Sequence, residues 1–120
     1  MSLIEDLKQG YTPGAFNNAP FIPSAIWYQR VPLNTASITG LTLFGYVQLS
    51  ETSKERLFDL DITTEVDSGK VFACLSASTV NTADLVNAAS CFVTFGFVED
   101  ATNETHVLYR GTRPVDSEVL

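Results

Sequence analysis

The reactive side chains of this chain are few and scattered. His106 is its only histidine, so a metal site or proton relay that needs two imidazoles is excluded. A serine or cysteine nucleophile would have to borrow His106 as its base, and the residues around Ser90 and Cys91 do not form a nucleophile elbow. A half-exposed strand residue is the plainer reading of His106. Asp59 and Asp61 stand two apart in a strand-like run, which projects both carboxylates from one face about 7 Å apart. The pair is a candidate calcium site if loop carbonyls, or an acid such as Glu65, Asp67 or Glu99, complete the roughly six to eight oxygens the ion takes. A solvated strand face is the competing reading. A glycosidase would need one of the two carboxyls in an apolar pocket, for which the sequence gives no sign.

Other motifs carry less. Asn103, Glu104 and Thr105 form a glycosylation acceptor pattern that matters only on a secretory route. The glycines are dispersed, so no phosphate-cradling loop exists. Cys74 and Cys91 lie in apolar runs where free thiols and a bridge both fit. Without a convergent reactive set, the chain is expected not to be an enzyme, and beyond a possible calcium ion no cofactor is expected.

Aromatic residues are more informative. In residues 41–50, Leu41, Leu43, Gly45, Val47 and Leu49 alternate with Thr42, Phe44, Tyr46, Gln48 and Ser50. If Leu43 and Val47 point inward, Phe44 and Tyr46 point outward as a contact surface, unless a second layer covers both faces. Trp27 and Tyr28 are adjacent and so face opposite ways, and whichever faces out is a candidate anchor for a partner.

The elements that must position these residues are strands. At 120 residues, 45% apolar and 18% charged, the chain suits one globular core. Residues 58–65 alternate Phe58, Leu60, Ile62 and Thr64 with Asp59, Asp61, Thr63 and Glu65, so one face meets water. Asp67, Ser68, Gly69 and Lys70 read as a hairpin turn into residues 71–78. A short helix fits residues 79–89 with Asn81 or Thr82 as its N-cap. Residues 91–98 read as a central strand buried on both faces, with Gly96 at a bulge, and residues 105–110 as the last strand. The expected class is all-β, an antiparallel β-sandwich or jelly-roll-like barrel with one or two short helices. Residues 1–23 read as an arm or linker with a short helical turn at 2–9, residues 24–110 as the β-domain, and residues 111–120 as a frayed tail.

Charge narrows the partners. A net −7, with the seven basic residues dispersed, disfavours nucleic acid and anionic lipid surfaces. No apolar run is long enough for membrane insertion and no signal peptide is seen at the start. Outside a viral setting that leaves a cytoplasmic or unassigned location.

Taken together, a Pro/Gly/Asn-rich leading arm, short strands decorated with Thr, Ser and Asn, few lysines and no catalytic set resemble the protruding spike domains of nodavirus-like or tombusvirus-like capsid proteins. The resemblance covers residues 20–110 and is one of texture. It implies a β-rich domain on the virion surface that dimerises into spikes and attaches to a host receptor or glycan. It also implies calcium at an Asp-x-Asp pair, which maps here onto Asp59 and Asp61. The helical reading of residues 2–9 departs from the usual shell-to-spike hinge. The rival reading is a carbohydrate- or peptide-binding β-sandwich that uses Trp27 and Tyr28 as a stacking platform, and behind it a small hydrolase.

Overall fold

The computed structural model describes residues 20–33 and 35–116. Most of the expected arm, with its helical turn, and the end of the expected tail lie outside the described residues. Among these residues seven strands run in chain order: β1 (Trp27–Pro32), β2 (Leu41–Gln48), β3 (Phe58–Asp59), β4 (Asp61–Asp67), β5 (Lys70–Ala77), β6 (Ser90–Glu99) and β7 (Glu104–Pro114). Among the described residues one short helix, α1 (Thr79–Thr82), continues into a tight turn at Ala83–Leu85. Every strand pair is antiparallel. Sheet I has the order β1-β5-β4 and sheet II the order β3-β2-β6-β7. The all-β sandwich expected from the alternating strands is the fold observed. Among the described residues no helix is long and apolar enough to cross a membrane.

Period-two side-chain alternation decides which residues meet between the sheets. Sheet I contributes Trp27 and Val31 from β1 and Val71, Ala73 and Leu75 from β5, while sheet II contributes Val47, Val93, Phe95 and Phe97. Most of β6 is buried on both faces, which suits its position between β2 and β7. Leu85 from the turn after α1 closes the core and is fully buried. The cap of α1 is Ser78, whose hydroxyl accepts from the Asn81 N–H at 3.2 Å. This corrects the expected cap at Asn81 or Thr82. Thr82 lies inside the helix, buried, and its hydroxyl donates to the Ala25 carbonyl at 2.8 Å.

The alternation of residues 58–65 is real but belongs to two strands in different sheets. β3 pairs with β2 at Tyr46 and Val47, Leu60 donates its N–H to the Gly45 carbonyl at 2.9 Å, and the chain then enters β4, which pairs only with β5. The β4–β5 hairpin turns on Ser68 and Gly69, both at positive φ (54° and 76°). Positive φ at both central positions is the turn whose twist matches the flanking strands.

The sequence-based domain limits shift at both ends. Residues 111–114 continue β7, and Val115 donates its N–H to the Ala89 carbonyl at 3.1 Å. Phe21 lies parallel to Val115, donating to the Pro114 carbonyl at 3.0 Å and accepting from the Asp116 N–H at 2.8 Å. Its ring is fully buried and stacks on Trp27. The described part of the expected arm and of the expected frayed tail is thus built into the sandwich, where Phe21 and Val115 lie side by side.

Candidate interaction surface

Sheet II has one face on the core and one turned outward. Because Leu43 and Val47 pack toward the core, Phe44 and Tyr46 project outward, each half-buried. Across the ladder Phe44 faces Gly96 and Tyr46 faces Thr94, and β7 adds Val107 and Arg110. β7 carries one extra residue between the partners of Phe95 and Gly96, the bulge expected at Gly96. A Cβ on Gly96 would sit 3.0 Å from both the Phe44 ring and the Val107 backbone. The Phe44 ring therefore lies over the space that glycine leaves, against the β7 backbone. Val107 is 49% exposed, so Phe44, Tyr46 and Val107 form an apolar strip on this face.

The strip is bordered by guanidinium groups stacked on rings. The Phe44 and Tyr46 rings lie nearly parallel, 6.1 Å apart with 18° between their planes. Arg56 lies over Tyr46 at 4.1 Å from the ring centroid, and its guanidinium donates to Asp59 Oδ1 at 3.0 Å. Asp59 is the β3 residue directly opposite Tyr46. Arg110 approaches the Phe92 ring at 5.2 Å. Exposed contacts of this kind contribute about 0.5–1 kcal/mol each. They cover part of the Tyr46 and Phe92 ring faces. Thr94 lies in the same outward row, yet is 1% exposed, with its hydroxyl buried and without a hydrogen-bond partner.

The other expected anchors separate. Trp27 is 3% exposed and stacks on Phe21 at 4.5 Å, so it is a core residue, which corrects its assignment as a contact residue. Tyr28, its neighbour, faces out of sheet I at 56% exposure. Its phenol is pushed above the usual tyrosine value, chiefly by a hydrogen bond with the Cys74 thiol. Beside it Arg30 stacks on Phe72 at 3.8 Å and pairs with Glu65 and Asp67. Tyr28 is thus on the opposite side of the sandwich from Phe44 and Tyr46.

Asp59 and Asp61 both point outward, but one ends β3 in sheet II and the other begins β4 in sheet I. Asp59 is already paired with Arg56. Neither aspartate belongs to the one cluster of three metal-ligating groups found among the described residues, which is Glu99, Glu104 and His106. The nucleophile–base pairing considered from the sequence does not form. Cys91 faces Arg113 and His106 faces Phe97 on the β6–β7 ladder, so the thiol and the imidazole are about 20 Å apart along the strand. Both cysteines are free, Cys91 buried and Cys74 half-buried.

Val107, Arg56 and Arg110 were not singled out from the sequence. Arg56 had a signal in its position three residues before Asp59. Val107 had none, because the bulge that turns it outward depends on the β6 partner. The sequence matches no protein-family model and no curated protein, so the geometry of this face is the ground for a functional reading.

Proposed function

We propose that this chain is a structural interaction module that pairs with a second copy of itself through the outer face of sheet II. The carrying observation is the strip of Phe44, Tyr46 and Val107 with Arg56 and Asp59 side by side at its edge. A twofold axis through such a strip sets apolar side chains against each other and places Arg56 of each copy opposite Asp59 of the other. That is the self-complementarity an isologous interface requires. Three long strands about 4.8 Å apart, taken over eight residues at about 3.4 Å each, give a face of roughly 400 Å², with the two-residue β3 at its edge. Stable interfaces use about 800 Å² per partner, so the pairing is weak and concentration-dependent.

The setting that fits is a domain presented on the surface of an assembly, where neighbours supply high local concentration. Phe21 and Val115, near the two ends of the described residues, lie side by side, which suits a module held at one point. The spike domains of small icosahedral capsids, which the sequence resembles in texture, are one such setting, with host attachment as the accompanying role. Carbohydrate binding is less favoured. Trp27 is not available as a platform, and the ring of Tyr46 carries Arg56 where a sugar would stack.

Sedimentation velocity over a hundredfold concentration range tests the proposal. A monomer–dimer equilibrium is expected, weakened by Phe44→Ser and Tyr46→Ser and unaffected by Tyr28→Ser on the other sheet. A chain that stays monomeric up to near-millimolar concentration overturns the reading, as does a dimer equally sensitive to Tyr28→Ser.

A further inference from the structure

We propose that Glu99, Glu104 and His106 form a binding site for a divalent transition metal of the zinc class. Glu99 and Glu104 are the last paired residues at the tip of the β6–β7 hairpin, directly opposite each other. Like charges in that register destabilise a hairpin. Glu104 is exposed and Glu99 half-buried, so with no common ligand the Glu104 carboxylate would relieve this by swinging away into water. Here the two converge, and one carboxylate oxygen from each lies within 4.8 Å of the other and of an imidazole nitrogen of His106. His106 is two residues from Glu104 on the same strand, so period-two geometry puts both side chains on one face.

The state of the imidazole is a second observation. His106 Nε2 is shut off from solvent and has no hydrogen-bond partner. Its approach to Glu104 Oε2 is 3.7 Å, the separation of an ion pair and too long for a hydrogen bond. A buried ring nitrogen without a partner carries a desolvation cost. A cation between the nitrogen and the carboxylates removes that cost and the repulsion together. The ring is held in place by stacking on Phe97, with centroids 4.9 Å apart and 21° between planes.

The donor set selects the ion. One imidazole and two carboxylates suit zinc and its first-row neighbours, whereas calcium takes oxygen donors only. Around a tetrahedral zinc, ligand atoms at bond lengths near 2 Å are about 3.3 Å apart. The groups here need to close by only about 1.5 Å, which the exposed Glu104 side chain can supply by rotation. Three protein ligands leave a position for water.

Because His106 is the only histidine, the test has a single reporter. ZnCl₂ is titrated into the untagged, ¹⁵N-labelled full chain while the imidazole ring nitrogens are followed by NMR. The His106 signals should shift and saturate near one equivalent. Glu99→Gln and Glu104→Gln, isosteric changes, should each weaken binding more than tenfold, and the thermal midpoint should rise with zinc only when both glutamates are present. CaCl₂ should leave the ring signals unmoved. The proposal is overturned if zinc does not move those signals, or if the shift persists undiminished in the Glu99→Gln/Glu104→Gln double variant. A calcium response as strong as that to zinc overturns the choice of ion.

Discussion

Arg56, in the loop before β3, meets the ring of Tyr46 on β2 face on, the guanidinium carbon 4.1 Å from the ring centroid. Asp59 fixes the other side of the guanidinium at 3.0 Å. Arginine, ring and carboxylate form a compact unit on the outer face of sheet II, with each charge next to its opposite.

The unit predicts a charge-swap result. Arg56→Glu places two acids together at the edge of the strip, and across a twofold axis it sets the introduced carboxylate against the Asp59 carboxylate of the second copy. Dimerisation should weaken by at least tenfold. Adding Asp59→Arg to that variant should restore part of the affinity, because the exchanged pair is again complementary between copies. Both side chains are more than half exposed, so the folded monomer should lose less than about 1 kcal/mol. Sedimentation gives the first quantity and urea unfolding the second. No rescue by the double exchange would mean that the two residues do not face each other across an interface.

Gly96 predicts a large stability effect from one methyl group. A Cβ there would collide with the His106 carbonyl and come within 3.0 Å of the Val107 Cα, both backbone atoms of a paired strand. Backbone cannot step aside without breaking the bulge. Gly96→Ala should therefore cost roughly 3 kcal/mol, the upper range for overpacking, and should also displace the Phe44 ring, 3.0 Å from the added methyl. Urea denaturation measures the cost. A loss below about 1 kcal/mol would show that the bulge is not held by close approach at this residue.

These two sites show what the sequence could and could not reveal. The alternation of β2 identified Phe44 and Tyr46 as outward residues, because a one-residue shift would have put Thr42 and Gln48 in the core. The same rule could not choose between Trp27 and Tyr28, which are adjacent and both at home in either layer. That choice was made by Phe21, which stacks on Trp27 and came from a segment read as a linker. The break at Leu60 was invisible because Phe58, Leu60 and Ile62 keep pointing inward while the chain changes sheets. The end of β7 was misjudged for a chemical reason. Arg113 looks like a surface residue, yet it is fully buried beside Cys91, with its guanidinium 5.2 Å from the Tyr109 ring. Burial of a charge depends on neighbours that a local window does not contain.

The β4–β5 turn predicts a stabilising change. Ser68 and Gly69 both adopt positive φ, at 54° and 76°. Glycine does so freely, whereas serine does so at some cost and asparagine at less. Ser68→Asn should raise stability by about 0.5 kcal/mol, read as a small increase in thermal midpoint. Gly69→Ala has no steric neighbour within 4 Å, so it should cost only the backbone strain, about 1 kcal/mol. That smaller loss separates a conformational penalty from the steric one at Gly96.

Cys91 predicts how the fold responds to alkali. Its thiol is 1% exposed, and burial pushes its pKa from 9.0 up to about 12, against a smaller opposing pull from Arg113. Above pH 9 the unfolded chain loses this proton while the folded chain keeps it, so the unfolded state binds fewer protons and stability falls as pH rises. The contribution is fully present below pH 9 and is lost by about pH 12. Within that window the slope approaches about 1.4 kcal/mol per pH unit for one group. Urea unfolding at pH 8 and pH 10.5, on the native chain and on Cys91→Ala, isolates the effect, because tyrosines and lysines titrate in both. The native chain should lose more stability between the two pH values than the alanine variant does. At pH 8 a thiol reagent should modify the half-buried Cys74 and reach Cys91 only on unfolding. Equal pH slopes in the two proteins would show that the thiol is not held protonated by the core.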